Sequence, residues 1–174
     1  MEKQIVHLLK SIELPVESDL WQTILGVEGV TERLRNNPRV LLIGTDRGLT
    51  LARHILETNP EAGITIVEKS DKVVQIAKKS LPEQVSLFHG DFLNLDLSTL
   101  PKQGLIISKH LIHFLSEGDL QAFSTKAPEL GEEFYASIPP FANILVDRYL
   151  KKSGISYRKI APKFHGTLYC FKQK

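Results

Sequence analysis

The chain has 174 residues, 42% of them hydrophobic, which suits one domain with its own core. Its 22 Lys and Arg nearly cancel its 20 Asp and Glu, so it lacks the charge excess of an electrostatic nucleic-acid binder. One cysteine, Cys170, rules out an internal disulfide, and no apolar run reaches the roughly 18 residues of a membrane span.

Near the N-terminus Ile5, Val6, Leu8, Leu9 and Ile12 fall on one helical face, a pattern unlike a signal peptide, and Pro15 ends it. Cytoplasmic localisation is the expectation. Ser18 or Asp19 can cap a second helix that turns Leu20, Trp21, Ile24 and Leu25 inward. Gly26 and Gly29 mark a break, and the continuation ends at Asn36-Asn37-Pro38. Residues 40–43 then form a continuous apolar run, as in a strand buried on both faces. Helical spacing follows over 50–58, with Leu51, Ala52, Ile55 and Leu56 on one side. Residues 63–67 read as a second strand. Ser70 and Asp71 open a helix carrying Val73, Val74 and Ala77. Residues 85–88 and 105–108 read as the third and fourth strands. Ser116-Glu117-Gly118-Asp119 is a capping-box pattern before a helix through Leu120 and Phe123. Residues 134–138 read as the fifth strand. Pro140 suits a helix start, with Phe141, Ile144, Leu145 and Tyr149 as the buried face and Gly154 as the stop. Residues 156–161 and 167–172, joined by a turn at 162–166, read as a hairpin.

Strands alternating with helices specify an α/β fold: a doubly wound, Rossmann-like, seven-stranded sheet with a C-terminal antiparallel hairpin. Residues 1–38 read as a short N-terminal helical cap or lid, and residues 39–174 as the main domain.

In such a sheet, ligands bind at the carboxyl ends of the strands. Those ends carry Gly44, Thr45, Asp46 and Gly48, then Glu68, then Gly90 and Asp91, then the 108–113 segment. The two glycines let the backbone turn tightly beside a ligand. Glu68, closing an apolar strand, can accept two hydrogen bonds from a ribose diol, or can be a surface carboxylate at a helix entry. Asp91 can accept from an exocyclic amine, or start an Asx turn. Its neighbour Phe92 can pack on an aromatic base.

The motifs Val40-Leu41-Leu42-Ile43-Gly44-Thr45-Asp46-Arg47-Gly48, Ile66-Val67-Glu68, His89-Gly90-Asp91-Phe92 and Leu105-Ile106-Ile107-Ser108-Lys109-His110-Leu111-Ile112-His113-Phe114-Leu115, in this order before a hairpin, resemble the class I S-adenosylmethionine-dependent methyltransferases of small-molecule type. The resemblance covers residues 39–174. It implies S-adenosyl-L-methionine as cofactor. Gly44, Thr45 and Gly48 then line its methionine end, Glu68 its ribose hydroxyls and Asp91 its adenine amine. Lys69 and Phe92 flank the ring, and Ser108, Lys109 and His110 lie beneath the sulfonium.

Two residues depart from the family's pattern. Leu42 stands where an acidic residue is usual, and Asp46 where a glycine is usual. Leu42 cannot hold the cofactor's ammonium; Asp46 can take over that contact. His110 and His113 are candidates for a general base, since neutral imidazole accepts a proton near pH 7; packing or capping the loop is the alternative. No third ligand accompanies them at metal spacing, so no metal site is expected. An Asn/Asp-Pro-Pro-aromatic run after the fourth strand, common in methyltransferases acting on amide or base nitrogens, is replaced by Ser108-Lys109-His110-Leu111. The sequence therefore points to methyl transfer to a small-molecule hydroxyl, amine or carbon. Neither a nucleic acid nor a membrane is an expected partner; a homodimer or partner protein completing the site is possible. Two other functions suit the same motifs: non-methylating chemistry such as cyclisation, dehydration or rearrangement, and a non-catalytic interaction module.

Overall fold

The computed structural model describes residues 16–45, 49–109, 111–131, 133–139, 142–160 and 167–172. The predicted helix at 5–12, the hairpin turn at 162–166, and Pro140 and Phe141 lie outside these. Helix α1 (Val16–Leu25) and helix α2 (Val30–Asn36) are separated by Gly29 in the left-handed region, φ 82°. They precede strand β1 (Arg39–Ile43), α3 (Thr50–Thr58), β2 (Gly63–Glu68), α4 (Asp71–Ser80), β3 (Ser86–His89) and β4 (Leu105–Lys109). Then come α5 (Glu117–Lys126), β5 (Glu133–Ile138), α6 (Asn143–Lys152), β6 (Arg158–Ile160) and β7 (Thr167–Lys172).

The seven strands form one sheet in the order β3-β2-β1-β4-β5-β7-β6. β1 to β5 are parallel to one another, and β7 is antiparallel to both β5 and β6. Side chains alternate across the sheet. Val40, Leu42, Ile64, Ile66, Leu105 and Ile107 face one layer, formed by Leu20, Trp21 and Ile24 of α1, Leu34 of α2, and Ala52 and Ile55 of α3. Leu41, Ile43, Ile106, Phe134 and Ala136 face the other, formed by Phe123 of α5 with Val146 and Leu150 of α6. The continuous apolar run of β1 is needed because both faces of this strand are covered.

The helix ends follow their capping residues. The Ser70 hydroxyl accepts from the Val73 N–H at 3.5 Å. Ser116 Oγ accepts from the Asp119 N–H at 3.2 Å, the first half of the box expected from the sequence, and donates to Asp119 Oδ2 at 2.7 Å, so Asp119 meets the Ser116 hydroxyl rather than its backbone N–H. α6 differs from expectation in phase. Val146 and Leu150, four residues apart, face the core, while Ile144 and Leu145 stand 73% and 52% exposed. Four short 3-10 turns (Phe92–Asn94, Leu97–Thr99, Ile112–Phe114, Ala127–Leu130) also go beyond the sequence reading, being too short to carry a hydrophobic period. Among the described residues, no helix is long and apolar enough to cross a membrane.

Candidate functional site

The strand order reverses between β1 and β4, so the crevice at their carboxyl ends is the topological switch point. There the chain leaves β1 through Gly44, whose φ of 69° favours glycine. Gly44 N–H donates to Val67 O at 2.9 Å, and Thr45 N–H to Glu68 Oε2 at 2.8 Å. The other Glu68 oxygen accepts from Ser70 N–H at 2.7 Å. Glu68, only 8% exposed, thus ties the turn after β1 to the turn after β2. Its own carbonyl accepts from Gly90 N–H at 2.9 Å, which brings the turn after β3 alongside.

Asp91 Oδ1 accepts from Leu93 N–H at 3.1 Å and Oδ2 from Lys69 Nζ at 3.0 Å. The Lys69 hydrogen bond holds the Asp91 carboxyl below the usual carboxylate range, against a smaller opposing effect of burial. The Asx turn therefore forms, capping Phe92–Asn94, and the carboxylate keeps lone pairs to spare. Phe92 is 4% exposed; its ring lies edge-on to Phe123 at 5.2 Å, with the Lys126 ammonium 5.6 Å from its centroid. That ring belongs to the core. The sequence reading did not single out Lys126, which donates to Leu93 O at 2.8 Å and Leu95 O at 2.5 Å and so fixes the turn after Asp91. A lysine in a helix's last turn gives no sequence signal for such a role.

Ser108 is fully buried on β4, and its hydroxyl has no hydrogen-bond partner among the described residues. The Thr45 and Ser137 hydroxyls are orphaned in the same way, all three near the carboxyl ends of β1, β4 and β5. Lys109 lines a recess with Leu42, Gly44, Thr45, Leu49, Leu51, Ala52 and Ile107. Leu49 sits at φ 46°, a left-handed conformation that costs a non-glycine residue roughly 1–2 kcal/mol. Its side chain is buried, and that burial offsets the strain. Asp46, Gly48 and His110 lie outside the described residues. His113 falls in the Ile112–Phe114 turn, with its side chain outside what is described. That turn packs against α6 and β5, and its Phe114 is 77% exposed. Among the described residues, no group of three or more His, Cys, Asp or Glu is placed to hold a metal ion.

No family model and no curated protein matches the sequence. The fold, in contrast, matches many solved structures. The methyltransferase domain of a bacterial Hen1 (CtHen1-CN) superposes with a TM-score of 0.63 at 21% identity, over 88% of this chain and 100% of that one. PigF with SAH gives 0.64 at 16%, over 83% of this chain and 53% of that one. Human N-acetylserotonin methyltransferase in complex with SAM gives 0.62 at 15%, over 87% and 51%. The chain thus spans all of the first and about half the length of the other two. At these identities the likeness is one of fold.

Proposed function

We propose that this chain, whose fold is that of the class I S-adenosylmethionine-dependent methyltransferases, binds that cofactor across the carboxyl ends of β1, β2, β3 and β4 and transfers its methyl group to a small molecule. Glu68 carries the reading. A carboxylate accepts about four hydrogen bonds; two of those places take the Thr45 and Ser70 amides, which leaves capacity for a ribose diol. The nucleoside end fits the residues present. Asp91 can accept from the adenine amine while Lys69 and Leu93 fix its orientation. Phe92 supports that rim from within the core and does not stack on the ring. The Thr45 hydroxyl, beside Gly44 and without a hydrogen-bond partner among the described residues, can meet the methionine end.

When bound, the cofactor supplies a methyl group made electrophilic by its sulfonium. The chain's part is to align the acceptor with it and exclude water. Ser108 and Lys109, at the end of β4, set the floor where the acceptor stands. His110 and His113, in the segment after β4, are the residues we assign to receive a proton from a hydroxyl or ammonium acceptor. Pro139, which follows β5, stands at the rim of that floor. The exposed Phe114, Ile144 and Leu145 at this edge favour an acceptor with an apolar face.

Leu42, buried among apolar neighbours where the family's pattern has an acid, favours a second reading, a methyltransferase fold without methyl transfer. Calorimetric titration with S-adenosylmethionine, followed by a methyl-release assay on a panel of phenols, amines and carboxylic acids, decides the matter. Binding with release supports methyl transfer, binding without release supports the second reading, and no binding overturns both.

A further inference from the structure

Given the cofactor reading above, we infer that Lys126 of α5 is a positioning residue for the nucleobase: it holds the turn that carries Asp91, and through that turn it sets how well the protein tells a 6-aminopurine from a 6-oxopurine. A lysine in the last turn of a helix ordinarily serves the free carbonyls of its own helix. Lys126 instead reaches another element. Its Nζ donates to Leu93 O at 2.8 Å and to Leu95 O at 2.5 Å, 33 and 31 positions upstream. Its ammonium stands 5.6 Å from the centroid of the Phe92 ring, and that ring packs edge-on at 5.2 Å against Phe123, one helical turn before Lys126. The backbone that follows Asp91 is thus fastened to α5 by an aromatic pair and by two charge-assisted hydrogen bonds.

The Asp91 carboxylate is held from two directions of unequal strength. On the outside it meets Lys69, whose side chain is 78% exposed, so that ion pair restrains it weakly. On the inside Leu93 N–H donates to Oδ1 at 3.1 Å, and Asn94 N–H donates to Asp91 O at 3.0 Å. Its orientation therefore follows the backbone of residues 92–95, which is the backbone that Lys126 grips. The Asp91 side chain is itself 32% exposed, so its remaining lone pairs are within reach of a ligand at the rim. An amino group at position 6 of a purine donates to that carboxylate, whereas a carbonyl there sets lone pairs against it. Rejecting the carbonyl requires a carboxylate that stays in place, since a loose one turns aside and regains water. Lys126 supplies that rigidity without touching the base.

Isothermal titration tests this with S-adenosylhomocysteine and its 6-oxo analogue, S-inosylhomocysteine. The wild-type chain should prefer the first by about ten-fold or more, the worth of one charge-assisted hydrogen bond. Lys126→Met keeps the apolar stem against Phe92 and should cut the preference to about three-fold or less. Lys126→Arg can still donate to two carbonyls and should keep it within about two-fold of wild type. Hydrogen exchange serves as the check on folding: in Lys126→Met the Leu93 and Leu95 amides should exchange faster while those of β1 and β4 keep their rates. If the Met variant does not fold, Lys126→Gln takes its place, with the same fall in preference expected. A folded variant that weakens both ligands by the same factor, or neither, overturns the inference. A wild-type chain that binds S-adenosylhomocysteine without preferring it also overturns the inference and leaves the cofactor reading standing. If the wild-type chain binds neither ligand, the cofactor reading itself falls.

Discussion

Glu68 holds two turns together and also offers the oxygens that a ribose would meet. Both duties use the same carboxylate, so its substitution has two separable readouts. Glu68→Gln keeps one acceptor oxygen and presents an amide to a backbone N–H. Losing one charged hydrogen bond, worth about 1.5–3 kcal/mol, should weaken S-adenosylhomocysteine binding by roughly ten- to hundred-fold in calorimetry. Its melting temperature should fall as well, because the Thr45 or Ser70 amide is left unpaired. A lowered melting temperature with unchanged affinity would leave Glu68 a structural clamp only. Asp91 is a milder case. Its ion pair with Lys69 is largely solvent-exposed, so it is worth no more than about 1 kcal/mol. Its lowered pKa makes that contribution complete at neutral pH and lost only as pH falls through the lowered value.

Among the elements, the two C-terminal strands, held to β5 by the β7 ladder, are also tied to α6 through one residue. Asp147 of α6 accepts from Tyr169 OH at 2.8 Å and Tyr157 OH at 3.3 Å, and pairs with Lys159 of β6. Burial alone would raise its carboxyl, but the hydrogen bonds from Lys159 and Tyr169 outweigh that and hold it below the usual carboxylate range. Asp147→Ala leaves the buried Tyr169 hydroxyl without this acceptor, at a cost of about 1–3 kcal/mol in urea unfolding. Adding Tyr169→Phe should recover part of the loss, a coupling of about 0.5–3 kcal/mol in the double-mutant cycle. Strict additivity would show that the two groups do not interact. The sequence reading found α6 but not this anchor. The apolar run Ile144-Leu145-Val146 spans more than one helical face, so periodicity alone could not choose its phase. The choice is made by the sheet, which has room for Val146 and Leu150. The strands were legible because their apolar runs are short and bounded by turn residues. The α3 helix was legible to the residue because its apolar positions recur at helical spacing.

For the molecule as a whole, the two ends of the sheet do different work. The carboxyl ends gather Gly44, Glu68, Asp91 and Lys109, all visible in the sequence because each ends or closely follows a strand. The amino end of β5 holds a cluster with no such signal. Arg33 of α2 pairs with buried Glu133, Tyr135 OH donates to the same carboxylate, and Arg33 Nη2 lies 3.4 Å from that hydroxyl. Arg33 is 100 residues from Glu133 and 102 from Tyr135 in the chain, beyond the reach of motif or period. Burial pushes the Tyr135 phenol far above its ordinary range and raises the Cys170 thiol, so neither ionises near neutrality. Arg33→Leu leaves the Glu133 charge buried without its arginine. It should cost about 3 kcal/mol in guanidinium unfolding, while cofactor affinity stays within about two-fold. A matching loss of affinity would show that the two ends are coupled.

The Glu68 clamp also has a consequence in time. The Thr45 and Ser70 amides exchange with solvent only when their shared carboxylate lets go. One side chain therefore gates two amides 25 positions apart, and their exchange rates rise and fall together. A ligand drawn to the same oxygens from outside holds the carboxylate in place. The order it brings to one turn is then felt in the other, and both strand ends stiffen as a unit.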